Sequence, residues 1–107
     1  RTVFYEAQEV GTLGPLATSA LKNNTIDGVL FFSPRTAKLF CRLVTKAKLF
    51  QKCSLLTAYC LSNAVATAAG ELPWANIIVA DSPNSQALLN TVEQTVGYVL
   101  EPYKNNT

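Results

Sequence analysis

The stretch Val29-Leu30-Phe31-Phe32-Ser33-Pro34-Arg35-Thr36 decides how this chain is built. Four apolar residues without Gly or Pro read as a strand buried on both faces. Ser33 is a favoured helix N-cap, and Pro34 suits the first helical position, where no amide donor is required. A strand that stops abruptly at a capped helix aims unpaired N–H groups and the positive end of the helix dipole into a crevice. An anion fits there.

The same arrangement recurs twice. Leu56-Thr57-Ala58-Tyr59-Cys60-Leu61 leads into Ser62-Asn63 and a small-residue helix over 64–69. Ala75-Asn76-Ile77-Ile78-Val79-Ala80 leads into Asp81-Ser82-Pro83-Asn84-Ser85 and a further helix. Three strands are thereby expected to deliver Ser-bearing turns to one sheet edge, where open α/β sheets bind ligands. Each turn, taken singly, is better explained as a simple helix cap, since caps are common.

The flanking segments complete an alternation of strand and helix. Thr2-Val3-Phe4-Tyr5-Glu6-Ala7 is β-prone and reads as the first strand. Gly11 and Gly14 mark a loop, Pro15 opens a short helix through Leu21, and Asn23-Asn24 ends it. Ala37, Phe40, Val44 and Ala47 recur at helical spacing with Leu43 beside them, while Lys38, Arg42, Lys46 and Lys48 project from the opposite, solvated side. Gly70 stops the small helix, and Trp74 sits in a loop expected to pack against the domain. Ala87, Leu88, Val92, Val96 and Val99 extend the last helix to Pro102, with a polar tail beyond. This order predicts an α/β fold: a parallel sheet of about four strands, flanked by helices through right-handed crossovers.

Composition narrows the function classes. The 107 residues suffice for one domain; 49% are hydrophobic and 15% charged, which excludes disorder. A net charge of +2, with no basic run interleaved by aromatics, gives no case for nucleic acid. No apolar stretch reaches the roughly 20 residues that span a membrane, so no membrane partner is expected. The absence of His removes the commonest general base and metal ligand, and no metal site is expected. Cys41, Cys53 and Cys60 lack metal-type spacing and read as reduced thiols of a cytoplasmic protein. No glycine-rich phosphate loop or catalytic triad is present, and Asp81 is the acid that falls on the crevice edge. Backbone amides, hydroxyls, Arg35 and a Tyr suit the holding of polyanions better than demanding acid–base chemistry.

Four segments taken together resemble a known family. Tyr5 in a leading strand, Phe31-Phe32-Ser33-Pro34, Leu61-Ser62-Asn63-Ala64-Val65-Ala66, and Ala80-Asp81-Ser82-Pro83 followed by Gln86-Ala87-Leu88-Leu89 look like the second half of uroporphyrinogen-III synthase. The resemblance implies a flavodoxin-like half-domain that closes one side of a substrate cleft, the other side being a second, similar domain. It implies cofactor-free conversion of hydroxymethylbilane, a linear tetrapyrrole with eight carboxylates, into uroporphyrinogen III with inversion of ring D. On this resemblance Tyr5 is the catalytic candidate, assisting departure of the hydroxyl, or else an aromatic packed at the domain hinge. Ser33, Pro34 and Arg35 match one substrate-binding turn, and Ser62, Asn63 and Ala64 a second. The second departs from the usual family pattern, since Val65 stands where a threonine is common, so only the amides of Asn63 and Ala64 carry over. Ser82 matches a third, loosely patterned turn.

The match is to the second half alone, and the family's interior strand from the far N-terminus has no counterpart. The chain is therefore expected to be a fragment, weak or inactive alone, whose sheet is completed by self-association or strand exchange. The alternative function is a non-catalytic flavodoxin-like module that binds an anionic small molecule or a protein partner.

Overall fold

The computed structural model describes residues 2–5, 15–96 and 99–102, with side chains placed over 18–94. Five strands, β1 (Thr2–Tyr5), β2 (Gly28–Phe31), β3 (Thr57–Cys60), β4 (Asn76–Val79) and β5 (Val99–Pro102), form one sheet in the order β4-β3-β2-β1-β5. All four pairings are parallel. The helices are α1 (Pro15–Asn23), α2 (Pro34–Lys46), α3 (Asn63–Ala69) and α4 (Ser85–Val96), with a 3-10 turn at Phe50–Leu55.

Alternation along the strands sorts the core into two layers. Val29, Phe31, Ala58 and Cys60 point to one face, where Ala20 and Leu21 of α1, Ala37, Cys41 and Val44 of α2, and Val65, Ala68 and Ala69 of α3 cover them. Leu30 and Tyr59 point to the other, under Leu88 and Val92 of α4. This division follows from right-handed crossovers. The steps β1 to β2 to β3 to β4 run one way along the sheet, so α1, α2 and α3 share a face. The step from β4 to β5 runs back across the sheet, so α4 takes the opposite face.

Small residues let α2 and α3 approach closely, Ala37 and Cys41 meeting Ala68 and Ala69. The last carbonyls of α3, which have no partner within the helix, are met from outside. The Cys41 thiol lies 3.8 and 3.6 Å from the carbonyl oxygens of Ala68 and Ala69, and the Trp74 indole N–H donates to Ala69 at 2.7 Å. Trp74 also stacks on Phe40 at 6.0 Å, and Phe31 meets both rings edge-on. The expected packing of Trp74 is thus realised.

Several expectations need correction. The expected parallel α/β sheet flanked by helices is present, and β5 adds a fifth strand to the four expected. The last helix stops at Val96 and Val99–Pro102 pairs with β1; an edge strand is the place where a sheet tolerates Pro. The interior place expected to lie vacant is held by β1, hydrogen-bonded on one side to β2 and on the other to β5. The sheet is continuous within one chain, so neither self-association nor strand exchange is needed to complete it. On α2 the buried stripe runs through Cys41, and Ala47, expected in it, is exposed. The expected extension of the first strand to Ala7, the loop at Gly11 and Gly14, and the tail over 103–107 lie outside the described residues.

Candidate functional site

The parallel register brings the three Ser-bearing turns together. Phe31, Cys60 and Val79 stand level at the carboxyl ends of β2, β3 and β4. Just past them the Leu61 amide donates to the Phe31 carbonyl at 3.1 Å and the Ala80 amide to that of Cys60 at 3.0 Å. Ser33, Ser62 and Ser82 follow within three residues of those strand ends, on one rim of the sheet. Tyr5 closes β1 at the same rim, its backbone level with Leu30 and Pro102; its side chain lies outside the described residues.

The first turn is built as the residue types dictate. Ser33 has extended backbone, and its Oγ accepts the Thr36 amide at 3.2 Å and shares a 2.8 Å hydrogen bond with the Thr36 hydroxyl. The Ala37 amide donates to the Ser33 carbonyl at 3.1 Å. Pro34 has no amide hydrogen to offer. The donors at this helix end are therefore largely committed to the cap, and Ser33 acts as a cap before it is a ligand contact. Pro34 and Arg35 are exposed, which sets a positively charged side chain beside this turn at the rim.

The second turn is more open. The Ser62 Oγ accepts the Val65 amide at 3.4 Å, a longer cap than that of Ser33. Asn63 and Ala64 are exposed, and their amides have no hydrogen-bond partner among the described residues. Val65 is 1% exposed and belongs to the core against α2. Val65 is thus a packing residue, and the open donors of this turn are the backbone amides of Asn63 and Ala64 together with the exposed Asn63 side chain.

The third turn differs from the expected Ser-Pro cap. Here α4 begins only at Ser85, and its cap is Asn84, whose Oδ1 accepts the Ala87 amide at 2.8 Å. Ser82 is exposed, and its carbonyl accepts the Asn84 amide at 2.8 Å. Asp81 is exposed beside it, placing one negative charge at this end of the rim. Asn84 is thus the capping residue that the Ser-Pro pattern concealed; an Asn directly before Ser85 is the available signal.

The thiols are sequestered in the core. Cys41, Cys53 and Cys60 are buried and form no disulfide with one another. Burial pushes the Cys41 thiol up to about 11, with the Glu71 carboxylate adding to the shift, and burial beside Cys41 pushes Cys53 up to about 12. Both stay protonated near neutral pH and lack the thiolate that nucleophiles and metal ligands need. Among the described residues no cluster of three or more His, Cys, Asp or Glu could hold a metal ion, and no helix is long and apolar enough to cross a membrane.

A parallel sheet covered on both faces, with a polar rim at the strands' carboxyl ends, defines a flavodoxin-like α/β domain. Its layout is the flavodoxin-like order, except that the edge strand beside β1 comes from the chain's end. Residues 1–90 match the family model described as uroporphyrinogen-III synthase HemD, and the chain belongs to that family. No curated protein gives a significant match, and no solved structure does either. Membership connects the chain with uroporphyrinogen-III synthase-type function in tetrapyrrole biosynthesis.

Proposed function

We propose that this chain forms one α/β half of a uroporphyrinogen-III synthase, and that its rim holds carboxylates of hydroxymethylbilane during cofactor-free ring closure. The observation that carries this reading is the common level of Phe31, Cys60 and Val79, which gathers the Arg35, Asn63–Ala64 and Ser82 turns along one edge. Arg35 supplies charge, the amides of Asn63 and Ala64 supply uncommitted donors, and Ser33 and Ser62 hold those groups in place through their caps. Ser82 contributes an exposed hydroxyl at the far end, next to Asp81.

In the proposed reaction Tyr5 gives its phenolic proton to the departing hydroxyl, so that water leaves and an azafulvene cation remains. That cation attacks the substituted carbon of ring D, and the spiro intermediate fragments and recloses with the ring inverted. A second α/β half supplies the opposite wall of the cleft, so this half alone binds tetrapyrrole but closes the ring poorly.

An anaerobic thermal-shift titration of this chain with uroporphyrinogen III tests the reading. Ligand at about 100 times its dissociation constant stabilises the folded state by about 2.7 kcal/mol, so a saturable rise in Tm is expected. Arg35→Gln and Ala64→Pro should each weaken the response. The second removes one amide donor from the first helical turn, where Pro is tolerated. No shift with uroporphyrinogen III, or an equal shift with both variants, would overturn the assignment. A shift given only by unrelated anions would favour a non-catalytic binding module.

A further inference from the structure

The row of cations on α2 is a feature that the rim does not explain. Lys38, Arg42 and Lys46 stand four residues apart and are all exposed. Residues at that spacing share one helix face, about 6 Å apart along the axis. A solvated helix face normally mixes signs, and like charges at this spacing repel. Yet α2 carries no acidic residue, and none of the three cations forms an ion pair among the described residues.

Beside this row lies a groove of about 480 Å³, lined by Lys38, Cys41, Arg42, Thr45, Lys46 and Glu71. Its floor is neutral, because the buried Cys41 thiol stays protonated against the carbonyls of α3. Thr45 adds a hydroxyl, and Glu71 enters from the loop after α3 as the single acid of the lining. Three cations against one carboxylate leave an excess of two positive charges. Lys38 begins the row one turn along α2, so the groove runs down the flank of the domain and away from the rim.

We propose that this groove is a second anion-binding site, for a small molecule whose two or more acid groups are spaced about 6 Å apart. The inference stands on the groove and does not depend on the reaction proposed above. Arg42 and Lys46 hold adjacent acid groups, Lys38 a third or the solvated end of the ligand, and Thr45 donates a hydrogen bond. Glu71 limits the affinity by repulsion.

Amide-resolved NMR titration of this chain tests the proposal. Tricarballylate serves as the probe with spread carboxylates and pyrophosphate as the compact phosphate probe. Each is added at low salt and again at 0.15 M salt, where charges separated by more than about 8 Å are screened. Shifts are expected over 38–46 and at Glu71, weaker at the higher salt, and larger for the probe whose charge spacing fits. R42Q/K46Q should weaken binding roughly tenfold, as two exposed ion pairs together allow, and E71Q should strengthen it several-fold. All three substitutions are at exposed positions, and an unchanged amide spectrum elsewhere checks that the fold is kept. Shifts confined to 33–36 and 62–65, an affinity insensitive to R42Q/K46Q, or weaker binding in E71Q would each overturn it. An intact groove response with no rim response separates this site from the tetrapyrrole reading.

Discussion

Replacing Gly28 with alanine puts the packing of the sheet to a direct test. Gly28 opens β2 and lies beneath the ring of Tyr59, which is completely buried on the neighbouring strand. A Cβ at residue 28 would stand 2.7 Å from the Thr57 carbonyl oxygen and 2.9 Å from Cε2 of Tyr59. Neither neighbour can yield cheaply: one is backbone within the β2–β3 ladder, and the other is held between two strands and α4. Overpacking of this kind costs about 1–3 kcal/mol. Gly70 provides the opposite case in the same molecule. Its φ is −67°, ordinary for any residue, and an added Cβ meets nothing closer than 3.4 Å. There, alanine restricts the unfolded chain without straining the fold and should stabilise by about 0.4–1 kcal/mol. Thermal and urea unfolding followed by the fluorescence of Trp74, the single tryptophan, read both. At roughly 4 °C per kcal/mol for a domain of this size, the two variants should melt well apart, on opposite sides of the parent. A Gly28→Ala protein within 0.5 kcal/mol of the parent, about the scatter of neutral surface changes, would refute the close approach of Tyr59 and Thr57.

Two further outcomes are expected. Ser33→Ala should cost about 1 kcal/mol by removing the cap of α2, and Ser62→Ala should cost less, because its cap bond is 3.4 Å against 3.2 Å; chemical denaturation that gives the reverse order would contradict these geometries. The buried thiols should resist a thiol-specific reagent such as DTNB in the native protein and react after unfolding. Because Cys41 and Cys53 hold their protons more tightly when folded, stability is fully present below their ordinary value of 9.0 and falls as pH rises towards 11 and 12. A pH series of urea midpoints that stays flat or climbs above pH 9 would contradict the burial.

The sequence was legible where one physical requirement dominated. The buried run Val29–Phe32 ending at Ser33-Pro34 could be little else than a strand meeting a capped helix, and α2 follows from it. Strand β5 was obscured because Val99 continues the spacing of Val92 and Val96, so that a strand looked like one more helical turn. The end of α2 carries no glycine: Lys48 itself takes the left-handed conformation, with φ of 62°. The 3-10 turn at Phe50–Leu55 has no residue signature of its own. For the site, the sequence located the rim but not how its donors are used. That the Ser33 hydroxyl is absorbed by Thr36 while the amides of Asn63 and Ala64 stay uncommitted depends on geometry, as does the burial of Val65.

The reversal of the chain after β4 also bears on how the molecule forms. Four strand spacings of about 4.8 Å separate β4 from β5, and the connection that carries α4 crosses all of them over the face held by Leu30 and Tyr59. Every earlier step joins sequence neighbours, whereas Thr2 must find Val99. Loop closure makes so distant an encounter entropically slow. The block from β2 to β4 is therefore expected to assemble before the β1–β5 seam closes, and hydrogen exchange that protects the seam as early as β2 and β3 during refolding would contradict this.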